Sequence, residues 1–404
     1  MTLRRPALSL ALLACLPVAA MAQQDPPVTI DTHVDIPATY MRTAQFDVGK
    51  DTPLRVDLGK MERGGLNAAF FIIYVEQGPL TKAGYAKALA QATQKYDDID
   101  LMLTKYPDRI RLARTPEQVM ANRKAGVLSA MIGIENGYSL GHQLGNLDKA
   151  FARGARYIGI THVGNNDLCT SSMPEADLGD APLAETGLTP FGHSVVTRAN
   201  QLGIMVDVSH SSDACVRDVL KATKAPIIAS HSGAHAIVNH PRNLPDDLLR
   251  AIAQNGGVVQ AVAYKGFLKL DPGRELAEKA LAAQVTKAAG DKQYDSDKID
   301  FLPAYVEGMR KIDAAFPLPN LDDYIKQIRH MVGVAGIDHV GLASDFDGGG
   351  GIDGWQNAEQ TRNVTEALRK HGFSDDDIAK LWGGNLLRVW KQVDDVAAKE
   401  GKNP

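Results

Sequence analysis

The chain predicts an α/β protein folded as a closed (β/α)8 TIM-type barrel, on three observations: eight apolar runs rich in Val and Ile, helical patterns between them, and no break in composition. The runs cover residues 28–35, 66–75, 128–135, 155–162, 203–210, 225–232, 256–264 and 339–347. Each is nearly continuous rather than alternating, the pattern of strands covered on both faces of a parallel sheet.

Ahead of the first run, residues 1–22 read as a signal peptide. Arg4 and Arg5 form a positive start, an apolar stretch runs from about Pro6 to Ala20, and Ala20-Met21-Ala22 is an A-x-A cleavage site. An exported protein, periplasmic or secreted, is expected, with residues 23–404 as a single catalytic barrel. Leu12-Leu13-Ala14-Cys15 offers a lipid-anchored alternative through Cys15. It ranks second because an apolar stretch follows Cys15.

The helices come next. Between the second and third runs, Tyr85, Leu89, Ala92, Tyr96, Ile99 and Leu103 recur at helical spacing and make one stripe that ends before Pro107. Thr115-Pro116 and Thr189-Pro190 each read as an N-cap followed by proline in the first turn. Gly65, Gly126, Gly154, Gly203, Gly256 and Gly336 stand just before six of the runs, as helix C-caps with positive φ. The connection at about 265–338 is too long for one helix, so extra helices over one face are expected there, as a lid or an oligomer contact.

Composition excludes several functions. Lys+Arg 44 against Asp+Glu 48 leaves a net charge of −4, without a block of like charges, which argues against nucleic acid as a partner. No segment after the leader approaches the ~18–20 apolar residues of a transmembrane span. Beyond the leader only Cys169 and Cys215 remain, with no C-x-x-C, so a thiolate zinc site is ruled out. Whether those two pair is left open by the sequence.

The chemistry lies where the runs end. The first ends in the H-x-D of His33 and Asp35, the third in Glu135, the fourth in His162, the fifth in His210, the sixth near His231 and the eighth in Asp345 and Asp347. In a (β/α)8 barrel these ends converge on the face that carries active sites. Residues i and i+2 of a strand share a face, so His33 and Asp35 can reach one ion. Imidazole with carboxylate suits Zn²⁺ or Mn²⁺, and a glutamate between two such half-sites can bridge a pair.

Taken together, Ile30-Asp31-Thr32-His33-Val34-Asp35-Ile36-Pro37, Gly133-Ile134-Glu135, Thr161-His162, Asp207-Val208-Ser209-His210, Ser230-His231-Ser232, Pro241-Arg242-Asn243 and Ser344-Asp345-Phe346-Asp347-Gly348 resemble the membrane dipeptidase (renal dipeptidase) family of zinc peptidases. The likeness runs in order over about residues 28–393. It implies two Zn²⁺ per chain: His33 and Asp35 on one, His210 and His231 on the other, and Glu135 bridging. It further implies that His162 contacts the scissile carbonyl oxygen, Arg242 the substrate's terminal carboxylate, and that Asp345 handles the proton. A homodimer is implied as well. Asn136 departs from the pattern, standing where a glycine is expected, and residues 265–336 match poorly.

The expected activity is hydrolysis of the peptide bond of a free dipeptide. Two zinc ions about 3.5–4 Å apart lower the pKa of a shared water toward ~7 and supply hydroxide without a protein nucleophile. An amine leaves poorly as an anion, so a carboxylate must return the proton. Asp345 fits that role, and Asp347 would face the same way if the strand continued. By itself Arg242 reads as a solvated residue ahead of the helix that Pro245-Asp246-Asp247 opens. Another metal-dependent amidohydrolase, acting on an N-acyl amino acid, lactam or lactone, is the alternative, and a non-catalytic binding protein stands behind it.

Overall fold

The computed structural model describes residues 27–181 and 186–400; the expected leader and Cys15 lie outside the described residues. Among the described residues ten strands form: β1 (Ile30–Asp35), β2 (Ala68–Tyr74), β3 (Ile110–Leu112), β4 (Leu128–Glu135), β5 (Ala155–Gly159), β6 (Met205–Asp207), β7 (Ile228–Ala234), β8 (Asn243–Leu244), β9 (Val258–Val262) and β10 (Val340–Ala343). Eight of them follow one another in the order β1-β2-β4-β5-β6-β7-β9-β10, while β3 and β8 are short additions on β4 and β7. The pairing is parallel throughout. The ring closes just past β10, where Val34 bridges Phe346 and the Asp35 N–H donates to the Phe346 carbonyl at 2.9 Å. The expected (β/α)8 barrel is thus the fold.

Alternation along β2 shows how the strands are covered. Ala68, Phe70 and Ile72 join Met131, Tyr157, Met205 and Ile228 in one cluster that the C-terminal helix Asn385–Glu400 seals with Trp390. Ala69, Phe71 and Ile73 turn to the other face and join the cluster shared with the surrounding helices. Both faces are dry, which is why the runs carry no polar alternation. Inside the barrel the Tyr157 ring lies over Gly133, where a Cβ would stand 2.2 Å from its Cζ. Gly133→Ala is therefore expected to cost ~1–3 kcal/mol through overpacking, read as a lowered unfolding midpoint; an unchanged midpoint would show that Tyr157 can move aside.

Local chemistry sets the helix ends. Thr115 and Thr189 accept from the backbone N–H of Gln118 and Gly192, each with proline in the first turn. The striped helix spans Lys82–Lys105 and buries Ala92, Tyr96 and Ile99. The long connection holds helices Lys265–Leu268, Pro272–Ala288, Ser296–Ile299, Pro303–Ala315 and Leu321–Ala335. The last of these belongs to the barrel wall, since the Tyr324 hydroxyl donates to the Ala261 carbonyl at 2.7 Å and Gln327 to that of Val262 at 3.2 Å. Among the described residues no helix is long and apolar enough to cross a membrane.

The strands stop earlier than expected. β5, β6 and β10 end at Gly159, Asp207 and Ala343, so His162, His210, Asp345 and Asp347 stand in the turns beyond. The backbone gives the reason: His210, Asp345 and Asp347 have φ of 68°, 60° and 63°, left-handed values that no strand accommodates. Cys169 and Cys215, whose pairing was open, form a disulfide with a Cα–Cα separation of 6.0 Å.

Candidate metal centre

Six of the expected residues meet at the C-terminal mouth of the barrel. Glu135, at the end of β4, divides its two oxygens between two half-sites. Oε2 lies 3.4 Å from His33 Nε2, which is also 3.4 Å from Asp35 Oδ2. Oε1 lies 3.0 Å from His210 Nε2 and 3.4 Å from His231 Nε2, and those two nitrogens are 3.0 Å apart. Asp345 Oδ1 comes within 4.0 Å of His33 Nε2. The donor atoms fall into three groupings, each within 4.8 Å: His33 with Asp35 and Glu135; Glu135 with His210 and His231; and His33 with His231 and Asp345. Gly348 lets the chain pass close by, since a Cβ there would stand 2.2 Å from Asp35 Oδ2 and 2.7 Å from Asp345 Oδ1.

A surrounding shell of hydrogen bonds aims two of the imidazoles. The Tyr157 hydroxyl gives its one proton to the Thr32 carbonyl at 3.1 Å, so toward His33 Nδ1, 3.0 Å away, it can only accept. Ser230 Oγ donates to Asp207 Oδ2 at 2.6 Å and likewise accepts from His231 Nδ1 at 2.9 Å. Both rings therefore carry Nδ1–H and turn Nε2 inward, the tautomer a metal requires. His210 differs: its Nδ1 is buried with no hydrogen-bond partner among the described residues. Sequence reasoning missed Tyr157, Ser230 and Asp207. Ser230 and Asp207 flank ligand-type histidines within one or three residues, but serine and tyrosine at such places carry no periodic or spacing signal.

The electrostatics call for a cation. Burial disfavours a charge on His33, yet Glu135 and Asp35 raise its pKa well above the histidine range. Burial would also raise the Glu135 carboxyl, but His33, His162 and His210 hold it well below the carboxylate range. His210 and His231 are pushed well below their ordinary value, first by burial and then by neighbouring positive groups, which favours the neutral imidazole that a metal binds. His33 Nε2 and Asp35 Oδ1 are buried without hydrogen-bond partners among the described residues. Such atoms are costly unless a ligand satisfies them, and this mix of imidazole and carboxylate fits divalent zinc.

The remaining candidates surround this cluster. The His162 ring packs 4.1 Å from that of His210 and 4.6 Å from that of Tyr74, outside all three groupings. Burial lowers its pKa, against the pull of Glu135. Arg242 is not a solvated residue: it is 3% exposed, donates from an Nη to the His231 carbonyl at 3.1 Å and stacks over Phe267 at 5.3 Å. Burial pulls its pKa down to about 10. Its Nε has no hydrogen-bond partner among the described residues.

Asp345 is 7% exposed, and burial, opposed by His33 and reinforced by Asp35 and Glu135, raises its carboxyl well above the usual range. Asp347 does not share that surface. It accepts from the backbone N–H of Arg55 at 2.8 Å and of Val56 at 3.3 Å, and so ties down the loop after β1. Asn136 has φ 69° and ψ 100°, a positive φ outside the left-handed helical region, and its Oδ1 accepts from the Tyr138 N–H at 3.2 Å. Its amide also links Val75, Gln77 and Asn166, at 2.9–3.1 Å, behind Glu135.

A parallel barrel with a cluster of imidazoles and carboxylates at its C-terminal mouth defines a metal-dependent hydrolase of the TIM-barrel type. The sequence pattern of the membrane dipeptidase family (Peptidase family M19) matches residues 20–403, and the chain belongs to that family, as a metallo-dipeptidase. It is 28% identical over 361 residues to dipeptidase tcpJ of Claviceps purpurea, covering 88% of this chain and 73% of that one. The crystal structure of the probable dipeptidase PvdM from Pseudomonas aeruginosa superposes with a TM-score of 0.80 at 34% identity, over 92% of this chain and 96% of that one. A metallo peptidase from Rhodobacter sphaeroides, liganded with a phosphinate mimic of the dipeptide L-Ala-D-Ala, shares the fold with a TM-score of 0.71 at 21% identity, over 91% and 100% of the two chains.

Proposed function

We propose that this chain is an exported zinc dipeptidase that holds two metal ions and cleaves the peptide bond of free dipeptides. The observation that carries this reading is the divided carboxylate of Glu135, with one oxygen against His33 and the other against His210 and His231. Export rests on the leader of residues 1–22. His33 and Asp35 would hold one zinc, His210 and His231 the second, and Glu135 would bridge the pair. When bound, the pair supplies an activated water and polarises the scissile carbonyl.

The protein's own groups do the rest. His162, kept neutral by burial, donates one N–H to the carbonyl oxygen as charge develops there. Asp345, beside His33 and His231, takes the proton of the attacking water and passes it to the departing amine. Arg242 supplies a buried guanidinium with no carboxylate partner among the described residues. A terminal carboxylate one residue beyond the scissile bond would complete it.

Purified protein is expected to hold close to two zinc per chain and to lose turnover to a chelator. Glu135→Gln is expected to release metal and to slow dipeptide hydrolysis more than ~10²-fold, because a single charge serves both half-sites. Metal analysis beside an assay on a dipeptide panel checks both. Hydrolysis by metal-free protein would reject the mechanism, and full metal and rate in Glu135→Gln would reject the bridge.

A further inference from the structure

The ligand histidines are not held alike. His33 lies within β1 beside the paired Val34 and Asp35, and His231 within β7 beside the paired Ser232, each at a shift in the register with the neighbouring strand. Each has its Nδ1 fixed by an oxygen, from Tyr157 and Ser230. His210 has neither support: it stands three residues past β6 in a left-handed turn, with its Nδ1 unpartnered among the described residues. What holds it is the loop after β5. The Ser172 N–H donates to the His210 carbonyl at 2.8 Å, the Ser212 N–H to the Thr170 carbonyl at 3.0 Å, and Ser171 and Ser211 form an isolated antiparallel bridge. Ser171 Oγ shares its one proton between the carbonyls of His162 and His210.

The disulfide closes one end of this small patch, just beyond the Thr170–Ser212 pair. Cys169 precedes Thr170 in the loop, Cys215 lies three residues past Ser212, and both are buried, at 1% and 0% exposure. We infer that Cys169–Cys215 is a positioning element for the metal centre: it clamps the β5 loop onto the His210 turn and thereby sets the affinity of the His210/His231 half, leaving the His33/Asp35 half to the sheet. The inference rests on the two-metal reading above. A group that orients a metal ligand without touching the metal is worth roughly 10–100-fold in metal affinity. A disulfide serving stability alone would leave both affinities as they were.

Zinc titration against a competing chromophoric chelator, with wild-type protein and the double variant Cys169→Ala/Cys215→Ala, separates these outcomes. The expected result is two tight zinc ions in the wild type. In the variant one affinity should be unchanged and the other weakened roughly 10–100-fold, with the surviving zinc lost on adding Asp35→Ala and kept on adding His231→Ala. Two unchanged affinities in a variant with a lowered unfolding midpoint would overturn the inference, as would equal weakening of both. Failure of the wild type to bind two zinc ions would overturn the two-metal reading itself, and is seen before any variant is made. Should the double variant not fold, zinc-loaded wild type reduced by a phosphine and titrated in the same way gives the same comparison.

Discussion

Asp345→Asn is expected to lower kcat by about 10²–10⁴-fold while fold and metal content stay nearly intact. The asparagine keeps the shape and an accepting oxygen but can no longer take a proton from water and deliver it to the amine. The geometry makes the metal measurement decisive, because Asp345 also belongs to a grouping of possible ligands with His33 and His231. Loss of zinc in the variant would make Asp345 a ligand instead of a shuttle. Asp347→Asn serves as the comparison: its carboxylate is engaged by the N–H groups of Arg55 and Val56, so a loss of stability with a smaller loss of kcat is expected. The reverse order of effects would move the proton to Asp347.

Arg242→Ala is expected to lower kcat/KM for dipeptides by ~10²-fold or more, from ~3 kcal/mol at ~1.4 kcal/mol per factor of ten. The same substitution should narrow the gap between a dipeptide and its C-terminal amide, since the amide never had a charge for the guanidinium to pair. Wild-type protein should discriminate strongly against the amide and against tripeptides extended at that end. The measurement is kcat/KM for one dipeptide and its amide with both proteins. Equal rates on acid and amide in the wild type, or an acid preference that survives Arg242→Ala, would remove Arg242 from the substrate and reopen the amidohydrolase alternative.

Much of the site was legible because its residues occupy places that the fold makes conspicuous. Strands dry on both faces need continuous apolar runs, so a histidine or carboxylate at the end of one stands out, and six of them stand at the barrel mouth. Asn136 read as a departure from glycine, and its side chain makes hydrogen bonds to Val75, Gln77, Tyr138 and Asn166 that a glycine could not make. The division of labour between Asp345 and Asp347 was not legible. It depends on amides of Arg55 and Val56 nearly three hundred residues earlier in the chain, and on left-handed turns that end the strand before either residue.

By itself the sequence determined the barrel, the capping of several of its helices and the set of metal-capable residues, because each of these follows from local patterns of burial and backbone preference. Only the tertiary structure decided the pairing of Cys169 with Cys215, the burial of Arg242 against Phe267 and the tautomers that Tyr157 and Ser230 impose on His33 and His231. These depend on which side chains from distant strands meet at the barrel mouth. A contact across the barrel leaves no period or spacing in the chain, since its energy comes from the desolvated partner and not from any neighbour in sequence.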